Sequence, residues 1–172
     1  MGAQGESLAT KLQQATDQLV STVEGCSDAH WKAKTSAEGW SVGVAAHHAA
    51  GGIAPTSGMV QAVANGMPLP PITMDIVDGG NAEHAKQFAN CTKAETLDLA
   101  RKNSAGATSM LRSLSDEQLG KTATVAFMNN ATVSAATTGR NAGGWPRPGP
   151  PAKHQGDSVA ILKARAISHG RG

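Results

Sequence analysis

Apolar residues recur at helical intervals from the start of the chain. Leu8, Leu12, Ala15, Leu19 and Val23 fall at steps of three and four, so they share one stripe of a helix. The stripe predicts a helix from about Ser7 to Glu24, closed by Gly25. Ser27-Asp28-Ala29-His30-Trp31 reads as a short capped turn with Trp31 facing inward. A second helix is predicted from Val42 to about Asn65, with Ser41 as its N-cap. Within it, Gly51-Gly52 and Pro55 are expected to kink or break the helix. Gly66-Met67-Pro68-Leu69-Pro70-Pro71 reads as a rigid extended connection. Met74 to Asn90 reads as helix, interrupted at Gly79-Gly80. Thr92-Lys93-Ala94-Glu95 fits a capping box. The helix after it carries Leu97, Ala100, Ser104, Ala107, Leu111 and Leu114 on one face. Ser115-Asp116-Glu117-Gln118 repeats the capping pattern.

The pattern then changes. Thr122 to Ser134 alternates weakly, as in a short hairpin or an extended loop. Gly139 to Pro151 holds four prolines and four glycines, which forbid a helix there. Asp157 to Ser168 could form a short basic helix. From Arg140 onward six Lys or Arg stand against one Asp, which reads either as a basic tail for an acidic partner or as a tail with no binding role. The long helices need a further helix to close their core. The expected fold is all-α, an up-down four-helix bundle in residues 1–135. Its fourth helix is missing or replaced by an irregular Pro/Gly-rich basic tail in 136–172.

A length of 172 residues suits one domain with a sizeable core. The formal net charge of +2, with no Tyr, two Phe and three Trp, gives neither a basic surface nor stacking platforms, so nucleic acid is not an expected partner. Cys26 and Cys91 lack the spacing of a zinc knuckle or a disulfide framework, and a reduced cytoplasmic protein is expected. Residues 1–25 do not resemble a signal peptide, and no apolar run reaches membrane-spanning length.

The candidate chemistry lies in Gly39-Trp40-Ser41-Val42-Gly43-Val44-Ala45-Ala46-His47-His48. Two imidazoles in an apolar helix must hydrogen-bond, bind something or face solvent. Adjacent helical positions point about 100° apart, so only one of the two points squarely at a shared site. The plainer alternative is a satisfied, partly buried histidine beside an exposed one. Glu83 and His84, read as lying at a helix start, could reach the mouth of such a site or simply be exposed. His30 is expected at the surface. Cys26 and Cys91 are expected as small buried residues, although Cys91 precedes a capped helix and could be activated there. No Ser-His-Asp arrangement, phosphate-binding loop or dinucleotide fingerprint is present.

The order of Trp31, Gly39-Trp40-Ser41-Val42 with His48 eight residues after Trp40, Gly66-Met67-Pro68-Leu69-Pro70, Asn81-Ala82 and Leu114-Ser115-Asp116-Glu117-Gln118-Leu119 resembles the DinB-like family. These four-helix-bundle proteins are related to mycothiol-dependent maleylpyruvate isomerase and the bacillithiol transferases. The resemblance covers roughly residues 5–135. It implies a divalent metal, zinc or nickel, held by three histidines. His48 matches the ligand on the second helix, and the other two form an H-x-x-x-H pair on the fourth. On the residues themselves, His47 is read as a solvent-facing neighbour of His48 or as a group that orients the site, with Glu83 and His84 as accessory groups. A low-molecular-weight thiol, a small-molecule substrate and a homodimer are implied as partners. The implied activity is a stress-related thiol transferase or a metal-dependent hydrolase. The alternative is an inactive helical-bundle scaffold that has lost its metal.

The chain departs from the family pattern after residue 120. Its only later histidines are His154 and His169, too far apart for one helical face. Read from the second base of each codon, Trp145 to Gly156 is compatible with G-H-x-x-x-H-x-x-S-I-K. The histidines require A as third base in the Pro146 and Pro150 codons. A slipped reading frame near residues 129–139 is therefore the expectation, with a divergent tail as its rival. The gene's nucleotide sequence decides between them.

Overall fold

The computed structural model describes residues 2–36, 39–126 and 130–136. Six helices run through them: α1 (Ala3–Glu24), α2 (Asp28–Lys32), α3 (Val42–Ala64), α4 (Met74–Gln87), α5 (Lys93–Ser113) and α6 (Asp116–Gly120). A hairpin of β1 (Thr122–Val125) and β2 (Ala131–Ser134) follows. The fold is all-α with this one small sheet. The missing or replaced fourth helix, the shifted frame and the basic tail fall outside the described residues.

The predicted stripe of α1 is buried at Leu8, Leu12, Leu19 and Val23, whereas Thr16 takes the seam position expected of Ala15. The Thr16 hydroxyl can afford this place because it donates to the Leu12 carbonyl at 2.9 Å and lies 3.0 Å from the Ser104 hydroxyl. α5 buries Ala100, Ser104, Ala107 and Leu111 on the face the spacing predicted. It packs along both α1 and α3 and is the central helix of the core. Glu6 pairs with Arg112 at 3.0 Å and Glu24 with Arg101 at 2.7 Å, so α1 and α5 run antiparallel.

The apolar core has two halves. One joins Leu8 and Leu12 of α1 to Val60 and Val63 of α3, Leu111 of α5 and Leu119 of α6. The other joins Leu19 and Val23 of α1 to Trp31 of α2, to Ala46 and Ala50 of α3, and to Ala100 of α5. Thus the early turns of α3 and α5 meet the late turns of α1. α3 and α5 are parallel to one another and both antiparallel to α1. The leg through residues 65–92, which includes α4, carries the chain back between them.

Several local expectations are corrected. α1 begins at Ala3, and Gly25 closes it with φ −78°, in the right-handed region. α3 continues through Gly51, Gly52 and Pro55. Its buried positions Ala46, Ala50, Ile53, Thr56, Val60 and Val63 stay in helical phase across the proline, and packing on α5 outweighs the lost donor. The Asn103 amide of α5 donates to the Ala50 carbonyl at 3.0 Å beside this point. α4 is also continuous through Gly79-Gly80, with Thr73 capping its start.

Both capping boxes form: Thr92 with Glu95, and Ser115 with Gln118. Ser27 caps α2 by accepting from the His30 N–H at 3.2 Å, and Trp31 is buried as expected. β1 and β2 pair antiparallel, Thr122 opposite Ser134 and Val125 opposite Ala131. Asn130 turns the hairpin at φ 56°, a conformation asparagine tolerates better than most residues. No helix among the described residues is long and apolar enough to cross a membrane.

Candidate functional site

The Ser41 hydroxyl accepts from the Val44 N–H at 3.2 Å and sets the start of α3. Two turns in, His47 and His48 leave the helix towards α4. α4 returns His84 and Phe88, which at i and i+4 lie on one helical face. His47 is buried, while His48 and His84 are half-buried. His47 Nδ1 lies 3.2 Å from His84 Nε2, so one ring donates its N–H to the other. The His48 ring stands edge-on to His84, with centroids 4.8 Å apart. Phe88 stacks on His47 at 4.1 Å and contacts His84 at 4.7 Å. Trp40 closes the other side, edge-on to His48 at 5.3 Å.

Burial holds all three imidazoles below their ordinary pKa. For His47 burial dominates and the Glu95 carboxylate acts against it. At His48, burial is joined by the neighbouring His47. His84 feels burial and then both other rings, and is lowered to about 4. The cluster is therefore uncharged at neutral pH. Neutral imidazoles keep a basic nitrogen that can accept a proton or bind a metal.

Next to the cluster lies a cleft of about 420 Å³. Trp31, Lys32, Lys34, Trp40, Asn90 and Cys91 are among its lining residues. The Trp31 indole N–H donates to the Cys91 carbonyl at 3.0 Å. Gly43 lets Trp31 approach α3 closely, since a Cβ at this position would lie 2.6 Å from the indole. Gly39, at φ 68°, makes the turn into Trp40 in a conformation that favours glycine.

A family model for the N-terminal domain of mycothiol maleylpyruvate isomerase matches residues 12–145. The chain belongs to this family. Two crystal structures share the fold: mycothiol-dependent maleylpyruvate isomerase and a histidine-to-alanine mutant of it. Each superposes with a TM-score of 0.62 over 96% of this chain and 60% of the other, at 15% and 16% identity respectively. This chain thus spans about 60% of the length of those solved relatives. No curated protein matches its sequence.

Within this domain the sequence-predicted residues separate clearly. His47, His48 and His84 come together. His47 is buried and bonded to His84, so it does not face solvent. Glu83 points away, exposed and 4.0 Å from Lys86. Glu83 and His84 lie in the second half of α4 rather than at a helix start. His30 is exposed, as expected. Cys26 and Cys91 are half-buried rather than buried, and burial raises both thiols above their ordinary pKa. Cys91 is therefore a thiol at neutral pH, not an activated nucleophile. Phe88 and the two lysines were not singled out by sequence reasoning, and Trp31 was read as an inward-facing residue without a place at the site. The i, i+4 spacing of His84 and Phe88 was the available signal for the first.

Proposed function

We propose that this domain is the metal- and thiol-linked part of an isomerase or transferase, with His48 as the metal ligand that α3 supplies. The observation that carries the reading is the convergence of three uncharged imidazoles from α3 and α4. His47 and His84 act as positioning residues, because their mutual hydrogen bond fixes both rings beside His48. Phe88 and Trp40 cover the ring faces and limit access of water. A low-molecular-weight thiol is the proposed partner, mycothiol being the one named for the solved relatives. A second copy of the chain is a further proposed partner.

Zinc or nickel would suit an imidazole donor set and, when bound, would supply Lewis acidity and a lowered pKa for a bound thiol or water. The described residues do not complete such a site, since among them no group of three or more His, Cys, Asp or Glu could hold a metal ion. That observation favours a second reading, an inactive bundle that has lost its metal. Metal analysis of the purified protein discriminates the two. Stoichiometric metal that is lost in His48→Ala supports the first. No bound metal at neutral pH, with the fold unchanged by His48→Ala, supports the second.

A further inference from the structure

The hydrogen bond between His47 and His84 has a length that is also a chelating distance. His47 Nδ1 and His84 Nε2 lie 3.2 Å apart. Zinc bonds imidazole nitrogen at roughly 2.0–2.1 Å, so two nitrogens on a tetrahedral ion stand about 3.3 Å apart. Square-planar ligation, which copper(II) or nickel(II) accepts, would bring them to about 2.9 Å. The observed separation is nearer the tetrahedral value.

Both rings are held in place by the fold itself. His47 is 6% exposed on α3. Phe88 stacks on it at 4.1 Å and also contacts His84. The His84 ring rests against α3 one turn beyond His47, since a Cβ at Gly51 would lie 3.7 Å from its Cε1. The local field suits a cation on both sides. His84 lies in the last turn of α4, where backbone carbonyls favour positive charge. The Glu95 carboxylate acts on His47 in the same sense.

We propose that His47 Nδ1 and His84 Nε2 form a two-donor zinc site between α3 and α4. Without the ion, an N–H···N bond closes the pair. With it, the ring that donated moves its proton through solvent to its other nitrogen. Both named nitrogens then present lone pairs, and no net proton is released. Solvent completes the coordination, because among the described residues no third His, Cys, Asp or Glu joins the set. This pair is separate from the three-histidine arrangement that the resemblance implies, in which His48 is the ligand from α3. It stands whether or not His48 holds a metal.

The test is a zinc titration of the full chain followed by nitrogen-15 NMR of the histidine rings, which reports each ring nitrogen separately. His47 Nδ1 and His84 Nε2 should shift together and saturate, and both shifts should persist in His48→Ala. In the His48→Ala background, His84→Gln should weaken zinc binding about tenfold or more, with the melting curve as the check on folding. His30→Gln, at an exposed histidine, should leave it unchanged. If the His84→Gln chain does not fold, the atom-specific shifts decide alone. No saturable shift, or shifts confined to His48, would overturn the proposal. Loss of both shifts in His48→Ala would overturn it while leaving His48 as the ligand of the proposed function. Unchanged affinity in the folded His48→Ala/His84→Gln chain would overturn it as well. Shifts at His47 and His84 with none at His48 would support the pair and count against His48 as the ligand.

Discussion

His47 Nδ1 and His84 Nε2 lie 3.2 Å apart and join α3 to α4 through a bond between two uncharged rings. The burial of this pair makes stability depend on pH. Both folded-state pKa values are depressed by burial, His84 to about 4 from 6.5. The unfolded chain therefore takes up protons first as pH falls. The stabilisation is complete above about pH 6.5 and is lost progressively towards pH 4. Denaturant unfolding at pH 7 and pH 5 should differ by about 1–2 kcal/mol, after discounting for the half-exposed His84 ring. His84→Gln should flatten that difference, and an unchanged slope would count against the cluster as its source.

Gly43 and Gly52 should respond in opposite directions to the same change. A Cβ at Gly43 would meet the Trp31 indole at 2.6 and 2.7 Å, whereas one at Gly52 meets nothing within 4 Å. Gly43→Ala should displace Trp31, shift its fluorescence and cost about 1–3 kcal/mol through overpacking. Gly52→Ala should stabilise the protein by roughly 0.5–1 kcal/mol through helix propensity alone. Denaturant midpoints of the two variants test the contrast.

Thr92 starts α5, the helix on which the core is built. Its hydroxyl accepts from the Glu95 N–H at 3.2 Å, and the Glu95 carboxylate accepts from the Thr92 N–H at 2.8 Å. Thr92→Ala should cost about 1 kcal/mol, or roughly 2–4 °C in melting temperature for a chain of this size. Thr92→Ser should retain most of the stability.

Thr16 and Ser104 form a buried polar pair between the two halves of the core. Thr16→Val and Ser104→Ala should each cost about 1 kcal/mol, and the double variant should cost less than their sum. Strict additivity in that cycle would show that the two hydroxyls do not act together.

Much of this architecture was legible because it depends on short-range rules. The Leu8-to-Val23 stripe, the Ala100-to-Leu111 face and both capping boxes are local patterns with one physical solution. The reading failed where packing overrode propensity. Pro55 and the glycine pairs predicted breaks, but α3 stays in phase because α5 rewards every buried turn of it. At the site, adjacency in sequence drew attention to His47 and His48, while Glu83 and His84 could be ranked only by the face each occupies on α4. That face is set by the return leg through residues 65–92, whose path the local pattern does not specify. The cleft was less accessible still, since Lys32, Val44 and Cys91 meet only after three separate segments have packed.

The parallel sense of α3 and α5 has an electrostatic consequence. A helix carries roughly half a positive charge at its first turn, and antiparallel neighbours place such charges at opposite ends. Here the first turns of two long helices, at Val42 and Lys93, lie at the same end of the molecule. These two dipoles add at the end that holds His47 and His48, while the last turns of α1 at Glu24 and α4 at Gln87 reach the same end with the opposite sign. Before any side chain is counted, the first turns of α3 oppose protonation of His47 and His48, and the last turn of α4 acts in the opposite sense on His84.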